Sequence, residues 1–127
     1  MDHLILLADD SEKLRRSVAD ILQDEGYSVV EAATGKQALA QLRSARQQFD
    51  LLITDLSMPA MDGLQLLTEI KRTDPGLPVI AMSGSFSGRL LRFAATFGAV
   101  TIEKPFKRAT LLKAVASALA KMASPAH

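Results

Sequence analysis

The chain has 127 residues, a formal charge of +1 and no cysteine. That length suits one ordinary domain, and an apolar fraction of 48% supplies a core without covalent staples. Disulfides, Cys-ligated zinc, iron–sulfur clusters and thiol catalysis are excluded, and the near-neutral balance lacks the basic excess of a domain that coats DNA.

Leu4-Ile5-Leu6-Leu7-Ala8 is a short continuous apolar run, the pattern of a strand buried on both faces. It is far below the roughly 20 residues of a membrane-spanning helix. Asp9-Asp10 ends it too soon for a secretory signal, so an intracellular, cytoplasmic protein is expected. A helix follows with Leu14, Val18, Ile21 and Leu22 on one stripe and Gly26 as its stop. Tyr27 to Val30 reads as a second strand, and Thr34 as the N-cap of a helix with Ala38, Leu39 and Leu42 inward. Leu51 to Thr54 is a third buried strand. Gly63 opens a helix with Leu64, Leu67 and Ile70 inward, and Asp74-Pro75-Gly76 ends it. Pro78 to Met82 is a fourth strand, with a helix from Ser87 to Phe97 behind it and Gly98 as the stop. Val100 to Ile102 is a fifth strand. The last helix presents Leu111, Val115, Leu119 and Met122. The expected unit is residues 1–123, with 124–127 a frayed tail.

Five βα units in succession imply an α/β, doubly wound, flavodoxin-like (βα)5 fold. Its five-stranded parallel sheet has the order 2-1-3-4-5, with helices on both faces. In such sheets functional residues gather just outside the carboxyl ends of the strands. The sequence puts chemistry there. Asp9-Asp10 follows the first strand, Asp55 the third and Ser83 the fourth, and Lys104 stands soon after the fifth. Clustered carboxylates raise one another's pKa unless a cation joins them, and their hard oxygens suit Mg²⁺. With an ammonium and a hydroxyl alongside, the set supports phosphoryl transfer, in which a carboxylate can itself be the nucleophile. Singly, each residue has a plainer reading: Asp9-Asp10 as a helix cap, Asp55 and Ser83-Gly84 as turn formers, Lys104 as a solvated surface charge.

The stretches LILLADD, LLITDLSMPAMDG, PVIAMSG and EKPF, spanning Leu4 to Phe106, resemble the receiver domains of bacterial two-component response regulators. The resemblance implies that Asp55 accepts phosphate from a phosphohistidine on a histidine kinase or a phosphotransfer protein. Asp10 would bind Mg²⁺ directly, Asp9 directly or through water, and the backbone carbonyl of Ser57 would add a ligand. Lys104 would pair with Asp55 or its phosphoryl oxygens, Ser83 would hydrogen-bond the phosphoryl group, and the Lys104–Pro105 bond would be cis. Ser57 and Ser85 stand where relatives modulate water access, which suggests moderate to fast self-dephosphorylation. The sequence departs from the family where most relatives carry a ring three residues before the lysine. This chain has Thr101 there, or Ile102 if the one-residue-shorter Gly98–Lys104 stretch shifts the register. Another departure is Ser11, where an acidic residue often follows the aspartate pair.

The leading expectation is a stand-alone receiver that switches an unknown downstream protein target or relays phosphate. It would be a switch and not a turnover enzyme, with no direct nucleic-acid or membrane contact. Met1 and the short tail fit a single-domain protein, and the alternative is a receiver belonging to a hybrid kinase or larger regulator. A Mg²⁺-dependent phosphatase is weaker, because Asp55-Leu56-Ser57 is not a DxD motif. A degenerate binding module would lack the acceptor or ligands, and a flavin carrier needs a phosphate loop where Asp9-Asp10 stands. A homodimer is compatible with the sequence, which demands none. Phe93 and Phe97, four apart, are expected to pack inward. The other reading is an exposed docking or dimer surface beside Arg89 and Arg92.

Overall fold

A computed structural model describes residues 3–44, 48–56, 63–84 and 88–123. Ser57, Ser85 and the 124–127 tail fall outside these described residues, as do the side chains of Leu64, Arg89 and Met122. The strands are β1 (Leu4–Ala8), β2 (Ser28–Ala32), β3 (Leu51–Asp55), β4 (Val79–Ser83) and β5 (Val100–Glu103). They alternate with helices α1 (Glu12–Asp24), α2 (Gly35–Arg43), α3 (Gly63–Thr73), α4 (Gly88–Thr96) and α5 (Arg108–Ala123). All strand pairs are parallel, in the order β2-β1-β3-β4-β5.

The continuous apolar runs are explained by cover on both faces. Ile5, Leu7, Leu51, Ile53, Ile80, Met82 and Ile102 pack against Val18, Leu22, Leu111, Val115 and Leu119 of α1 and α5. The alternate residues Leu6, Ala8, Ala32 and Leu52 meet Ala38, Leu39, Leu66 and Ile70 of α2 and α3. Ala81 and Leu56 meet Leu67 and Ala94 of α3 and α4. Each fully buried Leu or Ile contributes about 1.5–3 kcal/mol over exposure, so this double-sided core fixes the sheet's order and register.

Local signals set the helix ends. Ser11 Oγ accepts the Leu14 N–H at 3.3 Å, so Ser11, and neither aspartate before it, caps α1. Thr34 Oγ1 accepts the Gln37 N–H at 3.0 Å, and Gln37 Oε1 accepts the Ala33 N–H at 2.8 Å, a reciprocal arrangement close to a capping box. Gly26 and Gly98 take φ of 96° and 85° after α1 and α4, a left-handed turn that a side chain would strain.

Two expectations need correction. The second strand begins at Ser28 and runs to Ala32. Tyr27 is still tied to the preceding turn, its N–H donating to Leu22 O at 3.1 Å. The aromatic pair also does not pack wholly inward. Phe97 is partly buried against the Leu67–Ala94 cluster, but Phe93 is 46% exposed. The rings meet edge to face with centroids 5.1 Å apart. At helical spacing Phe93 stands a full turn before Phe97, and its ring touches that one. Beside the lysine, Thr101 is exposed and Ile102 is buried.

Candidate functional site

Register brings the polar residues to one edge. Ala8 pairs with Thr54, Asp55 with Met82 and Ser83 with Glu103, so the carboxyl ends of β1, β3, β4 and β5 finish level. Backbone bonds extend that edge beyond the strands. The Asp9 N–H donates to Ala32 O at 3.1 Å, Leu56 N–H to Met82 O at 2.9 Å and Lys104 N–H to Ser83 O at 2.7 Å. The Lys104–Pro105 bond is cis, as the resemblance implies.

Carboxylate oxygens of Asp9, Asp10 and Asp55 all lie within 4.8 Å of one another. Asp9 is fully buried, Asp55 is nearly so, and Asp10 is exposed. Lys104 Nζ donates to Asp55 Oδ2 at 3.1 Å and reaches Asp9 Oδ2 at 3.4 Å. Burial pushes the Asp9 carboxyl above its ordinary value. The Ser11 N–H, which donates to Asp9 Oδ1 at 2.9 Å, and the Lys104 ammonium oppose that rise, while the Asp55 charge adds to it. Ser83 Oγ is buried on the same edge and finds no hydrogen-bond partner among the described residues.

The donor set fits a hard divalent cation. Three carboxylates converge, one open to water, and among the described residues the Lys104 ammonium offsets two of them. The Ser83 hydroxyl, buried and without a hydrogen-bond partner among the described residues, is a donor open to a bound group. The predicted site residues Asp9, Asp10, Asp55, Ser83 and Lys104 thus come together. The predicted contribution of Ser57 lies outside the described residues.

Sequence reasoning passed over Arg15 and Glu31. Arg15 Nη1 donates to the Asp9 carbonyl at 2.8 Å, and its Nε donates to Glu31 Oε1 at 2.9 Å. The available signal was Glu31 itself. It is a lone charge flanking an apolar strand, and the pattern left it outside β2.

Comparison with known proteins places the whole domain. The family model described as response regulator receiver domain matches residues 5–116. The chemotaxis protein CheY of Bacillus subtilis is 36% identical over 117 residues, covering 91% of this chain and 96% of that protein. The transcriptional regulatory protein GlrR of Escherichia coli is 38% identical over 120 residues, covering 94% of this chain. The chain spans only 27% of GlrR, and 12% of the sensor kinase CckA of Brucella abortus. A CheY-like receiver domain protein from Methanospirillum hungatei superposes with a TM-score of 0.88 at 31% identity, over 97% of this chain and 98% of that one. The family match reaches from within β1 to within α5 and takes in Asp9, Asp10, Asp55, Ser83 and Lys104, and the chain belongs to the response regulator receiver domain family.

Proposed function

We propose that Asp55 accepts a phosphoryl group from a phosphohistidine on a histidine kinase or phosphotransfer protein, beside a Mg²⁺ site formed by Asp9, Asp10, Asp55 and the Ser57 carbonyl. The observation that carries this reading is one ammonium, Lys104 Nζ, set against both Asp55 and Asp9 within a cluster of three carboxylates. A carboxylate oxygen of Asp55 attacks phosphorus, the donor's N–P bond breaks, and its electron pair returns to the imidazole nitrogen. When bound, Mg²⁺ neutralises charge on the carboxylates and the transferred group. Lys104 supplies a second positive charge at Asp55, and Ser83 Oγ an unused donor for a phosphoryl oxygen. The aspartyl phosphate then returns to carboxylate by attack of water on phosphorus, so the domain is a self-resetting switch and not a turnover enzyme.

The proposed unit is residues 1–123, with 124–127 a tail, acting as a stand-alone receiver that switches a protein target or relays phosphate. Near full-length similarity to CheY and to the sporulation initiation phosphotransferase F of Bacillus subtilis, 85% of which is covered, supports this. Similarity to segments of GlrR and of CckA favours a second reading, a receiver within a larger regulator or hybrid kinase. A cytoplasmic setting is proposed with it, which a chain without cysteine suits. No described helix is long and apolar enough to cross a membrane.

The test is incubation with Mg²⁺ and acetyl phosphate, read by intact mass beside Asp55→Asn. A single phosphoryl adduct on the wild type alone is expected. An equal adduct on Asp55→Asn, or none on a Mg²⁺-bound wild type, would overturn the assignment. Turnover of an exogenous phosphate ester would revive the phosphatase reading.

A further inference from the structure

One polar cluster reaches the acidic edge from outside it. Arg15 lies in the first turn of α1 with its side chain only 13% exposed, and it makes charge-assisted bonds in two directions. Nη1 donates to the Asp9 carbonyl at 2.8 Å, and Nε donates to Glu31 Oε1 at 2.9 Å. The other oxygen of Glu31 accepts from Arg16 Nη1 at 3.0 Å. Glu31 is itself fixed, since it lies inside β2 in register with Leu7 of β1.

The Asp9 carbonyl shares its peptide plane with the nitrogen of Asp10. Holding that oxygen therefore sets the plane from which the Asp10 side chain departs. Asp10 needs such help because it is exposed and stands between strand and helix, where no ladder holds it. The Asp9 side chain is held separately, by the Ser11 N–H and Lys104. A guanidinium suits this role better than an ammonium, because its planar fork serves two acceptors at fixed angles.

We propose that Arg15 is a positioning residue for the carboxylate metal site, and that Glu31 is the clamp that aims it. This inference rests on the proposed function, since it assigns a role toward the same cation. Loss of a group that orients a metal ligand without touching the metal typically costs about 10–100-fold in affinity.

The test is calorimetric titration of the full chain with MgCl₂, for wild type, Arg15→Ala, Glu31→Gln and the double variant. Thermal unfolding in EDTA is followed in parallel. Arg15→Ala is expected to weaken Mg²⁺ binding about 10-fold or more. Glu31→Gln should give a smaller loss, and the double variant should be no weaker than Arg15→Ala, because Glu31 acts through Arg15. A purely structural role would lower the unfolding midpoint in EDTA and leave the Mg²⁺ dissociation constant within a factor of about two, which overturns the proposal. Additive losses would overturn the clamp. If Arg15→Ala does not fold, Glu31→Gln decides alone, and an unchanged dissociation constant there overturns the inference. A wild type that takes up no Mg²⁺ overturns this proposal and the metal site together, whereas normal wild-type binding with indifferent variants overturns this proposal alone.

Discussion

Lys104 Nζ stands 3.1 Å from Asp55 Oδ2 while keeping Asp9 Oδ2 within 3.4 Å, so one ammonium holds together the carboxylates that end β3 and follow β1. The arrangement is partly buried: Lys104 is 21% exposed and both aspartates are nearly inaccessible. Any cation that binds the same oxygens takes over part of the lysine's electrostatic role.

Lys104→Met tests that exchange. In EDTA the two carboxylates lose the Lys104 charge, and unfolding free energy is expected to fall by about 2 kcal/mol. That is below the roughly 3–5 kcal/mol for breaking a fully buried pair, because water still reaches the lysine. In saturating Mg²⁺ the deficit should shrink. Urea denaturation under both conditions measures it, and an equal deficit in each would show that the side chain contributes packing and not charge.

Asp9 carries a pH signature. Its carboxyl is held above the ordinary 3.8, first by burial. The folded protein therefore keeps the Asp9 proton to a higher pH than the unfolded chain does. Between the two values the folded state binds more protons, so stability falls as pH rises through that window. Above the folded value the full cost of the buried carboxylate is present. Asp9→Asn should remove this downward slope from the metal-free protein and be the more stable of the two at neutral pH, while losing Mg²⁺ affinity. Denaturation midpoints across pH 3–7, roughly spanning the carboxylate range, check it. A wild-type slope that persists in the variant would assign the effect elsewhere.

Much of this was legible because period and position carry it. Short apolar runs such as Leu4–Ala8 and Leu51–Thr54 have the pattern of strands buried twice over, and the parallel order put Asp9, Asp55, Ser83 and Lys104 on one edge. What stayed hidden depends on tertiary partners. Glu31 looks like the end of a strand until Arg15 and Arg16 of α1 are seen to bind it. Ser11 looks like a departure from the family until it is seen capping α1 and donating its N–H to Asp9. Phe93 looks like core by residue type, and only the placement of α4 over Ala81 and Leu67 leaves its ring outside.

The two phenylalanines should accordingly respond differently to truncation. Phe97→Ala removes a ring packed on the α3–α4 cluster and is expected to cost about 2 kcal/mol, less than a fully buried Phe. Phe93→Ala is expected to cost about 0.5–1.5 kcal/mol, the worth of an edge-to-face contact, since the ring is otherwise 46% exposed. In a double-mutant cycle the pair should couple by a similar amount. Urea unfolding of the four proteins measures this, and a larger loss for Phe93 than for Phe97 would contradict the exposed position.

Ser83→Ala separates stability from function. The hydroxyl is buried at the end of β4 without a hydrogen-bond partner among the described residues, and an unsatisfied buried polar group costs about 1–3 kcal/mol. Removing it leaves a methyl group and no unsatisfied polar atom, so the variant should be as stable as the wild type or more so by about 1 kcal/mol. If the hydroxyl waits for a phosphoryl oxygen, the same change removes one donor at developing charge. Adduct formation from acetyl phosphate should then slow by about 10-fold or more, while Mg²⁺ affinity is unchanged. Rates of adduct formation and urea midpoints, measured on one preparation, test both halves. A variant that is less stable and equally reactive would show the hydroxyl to be structural. Gained stability with lost reactivity is the pattern expected when a fold keeps an uncompensated polar group for its chemistry.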